Sequence, residues 1–523
     1  SRLCCGTTCD ADTTFSSAAG AGKSCCSDSD CNGTGAPNCD GHACSTCWSV
    51  TLDGTTHSYN FVVDPANTSD TGTSGIASPT SCRFRTLTHA LQYVATFNGI
   101  TSSTPARIAI YADISPTTGE AFPLVLPANV EVLGQPQSGT TPPKVLVPAG
   151  KVAFRLGSSN SGLSNLTIDG VDDSNSSTRY TSGVVIDAPP GGSAPTGITL
   201  DHVSVQQSLR DGIAIGAGNA TTGATVTVGP GVRVSGAGFG SAGGAGGTVR
   251  SNGITIAGSA SVTIVGGAGS DRSAFNENSQ HGIAVHDRAA ITIAESLNLT
   301  DPTSMAYDEA NVTANGNDFA GLTIIQSPVG AATNSSDWQS MPTNMITGLV
   351  TLNTRNGNGI RLEGGSKVVL RSCVSYGNAA NGVAVPTSTA SGGSAADANF
   401  VGGIDLGASG HSGGNVVQVP GVAFGATPPH GQSPNQGAGI CLNIAAAASG
   451  GQTLAAQGNW LVASGSNAET DCSSSAGTAV VRRDTNCRST QSTGRRLGIP
   501  TSVGIIGPGG GMNTNAVDVT QCQ

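Results

Sequence analysis

The chain has 523 residues, 75 of them Gly, with 11% charged and 4% aromatic residues and a net charge of −10. Four Lys (Lys23, Lys144, Lys151, Lys367) and no basic patch exclude nucleic acid as a partner, and no run of about 18 apolar residues offers a membrane-spanning helix. The apolar residues are patterned rather than absent, which predicts an ordered repeat fold, stable by stacking, instead of a disordered chain.

Residues 1–48 hold Cys4, Cys5, Cys9, Cys25, Cys26, Cys31, Cys39, Cys44 and Cys47 among many Gly, Ser and Asp. With almost no apolar core, such a segment folds only if stapled. Zinc through Cys44-Ser45-Thr46-Cys47 is one staple. The adjacent pairs Cys4-Cys5 and Cys25-Cys26 are awkward for one tetrahedral zinc and favour disulfides. Disulfides imply export, so the expectation is a secreted, extracellular or cell-surface protein whose signal peptide is already removed. Cys82, Cys441, Cys472, Cys487 and Cys522 are further disulfide candidates. Cys373, inside an apolar stretch, is the expected buried free thiol.

Residues 49–106 read as first strands and a capping helix. Val50 and Leu52, followed by 59–63, predict a strand pair. Thr86 is a plausible N-cap, and Leu87, Ala90, Leu91 and Val94 share one face of a helix ending near Phe97. Such a helix would close the open end of a solenoid.

Residues 107–453 carry short strands at 108–111, 124–126, 130–133, 144–147 and 163–168. Then a four-residue signature recurs eight times: Gly, aliphatic, any residue, aliphatic. It opens at Gly183, Gly212, Gly253, Gly282, Gly321, Gly359, Gly382 and Gly439. The alternation points the flanking residues one way and the middle ones the other. Further alternating strands fall between signatures, at 198–205, 226–234, 262–265, 291–294 and 367–370. The glycines are 23 to 57 residues apart, so each interval is one coil with an insertion, or two coils. The stretches 236–247, 302–317, 327–345 and 387–414 are expected to be surface loops. Before the signature glycines stand Asp211, Asn252, His281, Asn358 and Asn381 among others, which suit tight turns and can stack into a ladder. Residues 454–523 read as terminal coils with a disulfide-tied cap.

The segment from Phe61 to Leu91, with Asp64-Pro65, a Thr/Ser/Gly loop and Phe84-Arg85-Thr86-Leu87 before a helix, resembles the N-terminal motif of right-handed parallel β-helix proteins. Together with the Asn-Gly-aliphatic rungs, it is similar to an uncharacterised secreted bacterial group of the pectate-lyase-like superfamily. The resemblance covers residue 55 to the end. It implies an all-β, right-handed parallel β-helix with a short N-terminal capping helix, here preceded by a small disulfide-rich module. Members of that superfamily include polysaccharide lyases, hydrolases, epimerases and adhesins, so the resemblance specifies the fold more sharply than the activity.

A lyase of this kind needs a basic residue and usually calcium, and a hydrolase needs carboxylates about 5–9.5 Å apart. The best candidates are Arg361 and Glu363, on outward parity in one strand, with His286 in register two signatures earlier and Asp287 beside it. An ordinary solvated face of ion pairs explains the same residues. Asp169, Asp172 and Asp173 offer a weak calcium site, but they lack EF-hand spacing and suit a polar turn. No cofactor is expected, calcium being the one candidate. The middle column of the signature (Val185, Ala214, Thr255, Ala284, Thr323, Arg361, Ala384, Cys441) is small and nearly uncharged, a face suited to cover by protein or polysaccharide. The expectation is a structural or adhesive β-helix, a subunit of a surface assembly or filament, whose partners are copies of itself or a surface protein. The alternatives are a polysaccharide lyase or hydrolase, and a non-catalytic glycan binder.

Overall fold

The computed structural model describes residues 61–66, 83–95, 105–135, 141–171, 179–216, 223–238, 251–295, 311–326, 336–386, 402–407 and 413–417, with shorter pieces near these and as far as residue 443. Elsewhere it describes only the backbone of short strands.

Within these residues the chain is an all-β parallel solenoid. One sheet, the first face, stacks eleven strands. It begins at Leu124–Leu126, continues through Val152–Leu156 and Ser182–Ile186, and then takes every later signature strand in chain order. The register runs Val184, Ile213, Ile254, Ile283, Leu322, Ile360, Val383, Ile440, each beside the next. Signature strands are direct neighbours, so each interval is one coil, including the 57-residue one; length differences are absorbed by insertions.

Two further faces complete the coils. Gly162–Gly170 and Ile198–Gln206 are long strands that serve both. Ile198–Gln206 pairs through its first part with Thr225–Val228 and through its last part with Arg233–Ser235. From there the second face continues as Ser261–Ile264, Ala290–Ala294, Asn344–Thr347, Val368–Arg371 and Ile404–Asp405. The third face continues as Ser273–Asn276, Val312–Thr313, Leu349–Leu352 and Val374–Tyr376.

Several expectations shift. The stretch 226–234 is two strands on two faces, with Gly231 turning at φ 69° between them. Val312–Thr313 and Ile404–Asp405 lie inside stretches expected to be loops. Phe61–Val63 does not pair with residues 50–52; it joins the solenoid beside Ala106–Ile110, while Ser49–Leu52 makes a hairpin with Thr55–Ser58. Of the terminal coils expected over 454–523, only the backbone of short strands such as Arg482–Arg483 is described, and the rest lies outside the described residues.

The signature aliphatics fill one continuous interior. Ile213, Ile254, Ile283, Leu322, Ile360 and Val383 are at most 1% exposed, as are Ile186, Ile215, Ile256, Val285, Ile324 and Leu362. Each such side chain contributes about 1.5–3 kcal/mol of burial. The signature glycines are needed for space, not for a left-handed turn. A Cβ on Gly212 would meet Val234 Cγ1 at 2.2 Å, and one on Gly359 would meet Ser375 Oγ at 1.8 Å.

Buried asparagines tie the coils. At the corner between the third and first faces, Asn278, Asn317, Asn378 and Asn435 are at most 1% exposed. The amide oxygen of Asn317 accepts from the Asn278 backbone N–H (2.9 Å), and that of Asn435 from Asn378 (3.0 Å). At these two corners the buried backbone N–H is thereby satisfied by the next coil. In the column before the signature glycines, Asp211 accepts from Asn252 N–H (2.8 Å), Asn252 from His281 N–H (3.1 Å) and Asn358 from Asn381 N–H (3.2 Å). His281 therefore stands in the ladder, which Ala320 interrupts.

The open end is closed by α1 (Leu87–Val94), whose buried residues are Leu87, Ala90, Leu91 and Val94. Thr86 caps it through His89 N–H. Glu120, 33 residues on, accepts from the Leu87 N–H at 2.6 Å and the Thr88 N–H at 2.8 Å. Phe61 packs edge-on against Phe84 and against Tyr93 of the helix, and the Phe84 and Tyr93 rings are tilted to each other. A second helix, α2 (Ser336–Ser340), docks part of the 327–345 insertion. Trp338 Nε1 donates to the Gly365 carbonyl (3.2 Å), Lys367 Nζ lies 4.4 Å from the Trp338 ring, and Arg288 pairs with Asp337.

Candidate functional site

The outer side of the first face carries the middle column of the signature. At its start the column meets solvent, with Val125 53% exposed. Between Ala214 and Ala384 its small members do not: Ala214, Thr255, Ala284, Thr323 and Ala384 are at most 9% exposed within a single chain. The small uncharged residues on this face are therefore covered by their own chain. That removes the bland column as an argument for a partner subunit.

Arg361, Glu363 and His286 occupy that covered face, as their spacing implies. Arg361 is in register with Thr323, which is in register with Ala284. His286 is in register with Ile325, one strand from the position of Glu363. At about 4.8 Å per strand, His286 and Glu363 stand roughly 10 Å apart. Glu363 is fully buried and forms an ion pair with Arg361. Two residues apart on one strand, both side chains point outward and reach each other, and neither is left to face bulk solvent alone.

Asp211 joins them and was legible only as a turn residue. Anchored before Gly212, it accepts from the Asn252 backbone and also bonds Thr255 on the covered column. Burial raises its carboxyl pKa above the ordinary range despite these bonds and the charges of His286 and Arg210. Burial lowers the pKa of His286, although Asp287, Asp211 and Glu363 all favour its charged form. The enclosed face thus gathers two carboxylates, an imidazole held toward its neutral form and a guanidinium. Such a set could move protons, and perturbed groups of this kind concentrate at functional sites.

Asp287 sits apart in its role. It adopts a left-handed φ of 58° and accepts from Gly258 N–H at 3.3 Å, which makes it a turn residue. Asp169 pairs with Lys144 Nζ (3.4 Å) and accepts from Gly170 N–H. Asp172 and Asp173 lie outside the described residues, and among those described no three His, Cys, Asp or Glu converge as a metal site. Cys373 is buried and unpaired, its thiol pKa pushed up to about 12 by burial, so it is not a nucleophile. The side chains of Cys4, Cys5, Cys9, Cys25, Cys26, Cys31, Cys39, Cys44, Cys47, Cys82, Cys441, Cys472, Cys487 and Cys522 lie outside the described residues. No described helix is long and apolar enough to cross a membrane.

No family model matches the chain, and no curated protein matches it. The reading of function therefore rests on the residues above.

Proposed function

We propose that the chain is a secreted structural or adhesive β-helix, of the right-handed pectate-lyase-like kind, that acts as an extended extracellular scaffold. One observation carries this reading. A single aliphatic interior runs unbroken through the described coils, while on the first face Glu363 is fully buried and paired with Arg361. A polymer-cleaving site would have to admit a chain to those groups. Disulfides stapling the N-terminal module are part of this proposal and would imply export. Backbone register sets Cys4 opposite Cys9 and Cys39 opposite Cys44, and Cα atoms of such pairs lie about 4.5–5.5 Å apart, within disulfide range. Native protein is expected to sediment as assemblies that grow with concentration, visible as rods by electron microscopy. A strict monomer at every concentration, with no adhesion to cell surfaces, overturns the proposal.

A second reading, a polysaccharide lyase or hydrolase, is favoured by the grouping of Asp211, His286, Arg361 and Glu363 on one face. It requires unsaturated or reducing products from uronic-acid polymers, with calcium or without, and at least a hundredfold loss in Glu363→Gln or His286→Asn. Silence across such a panel removes it.

A further inference from the structure

The third face carries a feature that the scaffold reading does not use. A cleft of about 460 Å³ lies across four successive coils, lined by Ser204, Gln206, Arg233, Ser235, Arg272, Ala274, Asn276, Thr313 and Asn315 among others. That volume falls in the range of small-molecule sites. The register explains its shape. Ser204, Arg233, Ala274 and Thr313 form one outward row, one residue per coil, and Gln206, Ser235 and Asn276 form the next. Ala274 stands between Arg233 and Thr313, and its short side chain leaves the floor open.

The lining has two guanidiniums and no carboxylate, in a chain of net charge −10. Its other polar groups are hydroxyls and amides, and no aromatic ring lines it, so it offers no stacking platform for a neutral sugar or a base. One cation is held by a side-chain bond, and the other stands on a hydrogen-bonded turn. Arg233 Nη2 donates to the Ser270 carbonyl at 2.9 Å. Arg272 follows the turn Gly269–Asp271, whose Asp271 carbonyl accepts from Gly231 N–H (2.6 Å) and Gly267 N–H (2.9 Å). The Asp271 carboxylate is engaged at the rim by His202 Nε2 (3.2 Å) and Ser270 Oγ (2.9 Å), and His202 Nδ1 meets Asp201 at 3.1 Å.

We infer that this cleft binds a sulfate or phosphate ester carried on a sugar or polyol. Two guanidiniums lining one cleft match a tetrahedral oxyanion, which presents more acceptor oxygens than a carboxylate and accepts bidentate bonds from Arg. The rows of Ser, Thr, Gln and Asn supply one hydrogen-bonding group per coil for hydroxyls flanking the ester. The inference is independent of whether the rod assembles.

Calorimetric titration of the full chain with four probes tests it: a chondroitin sulfate hexasaccharide, a glycerol phosphate oligomer, a hyaluronan hexasaccharide bearing carboxylates only, and neutral maltohexaose. The sulfated or the phosphate probe is expected to bind, with affinity falling as salt rises; which of the two binds tells the source of the ester. Hyaluronan is expected to bind at least tenfold more weakly and maltohexaose not at all. Arg233→Gln and Arg272→Gln should each weaken binding at least tenfold, and Ala274→Glu, on the open floor, should abolish it. Unchanged thermal unfolding of Arg272→Gln and Ala274→Glu separates these effects from misfolding. No binding by either ester, equal binding of hyaluronan or maltohexaose, or wild-type affinity in the folded variants overturns the inference.

Discussion

Single side chains do the joining in this molecule, and Glu120 shows how. It sits far from α1 in sequence, yet it accepts from the first two backbone N–H groups of that helix, which have no intrahelical partner. Glu120→Ala is expected to cost about 1–3 kcal/mol, because buried donors lose a charged acceptor, as read by urea unfolding. Burial raises the Glu120 pKa above its ordinary 4.5. Well below 4.5 the carboxyl is protonated in folded and unfolded chains alike. As pH rises through 4.5 the unfolded chain ionises first, so the folded state loses stability until the higher folded pKa is passed. Relative to Glu120→Gln, the wild type should weaken over that window. Parallel pH curves for the two proteins would show that Glu120 does not titrate in this way. Nothing in the local sequence at 120 pointed to this cap, whereas Thr86 was legible because an N-cap is defined by its immediate neighbours.

Between elements, stability depends on the asparagine ladders as much as on the aliphatic rungs. Asn317 satisfies the Asn278 backbone N–H with its oxygen and the Phe275 carbonyl with its nitrogen, both buried. Asn317→Leu keeps the volume but strands those groups. With two groups stranded at roughly 1–3 kcal/mol each, it should cost about 2–6 kcal/mol, measured by denaturant midpoint. A loss below 0.5 kcal/mol would mean that the ladder is decorative. The ladder before the signature glycines was readable because the signature marks its own register. The Asn278–Asn317 ladder was not, because its column lies at the end of third-face strands such as Ser273–Asn276, too short and polar to stand out in sequence.

For the whole molecule, nearest-neighbour stacking makes the centre the most protected part. Hydrogen exchange should be slowest in Ile254–Ile256 and His281–His286 and quicken toward the two ends of the described solenoid. Ile283→Ala should cost about 2–5 kcal/mol and loosen the adjoining coils around Ile254 and Leu322 before distant ones. Uniform loss of protection along the chain would contradict this picture.

The interior was legible in residue order alone: alternation around each signature glycine commits its two aliphatic columns to one side, and stacking follows from their repetition. It also grouped Arg361, Glu363 and His286, since residues in register on parallel strands must share a face. The folded coils were needed to show that this face is covered, that Asp211 belongs to it, and that Arg233 and Arg272 line one cleft. Those outcomes depend on contacts between segments far apart in sequence, and side-chain periodicity carries no information about that.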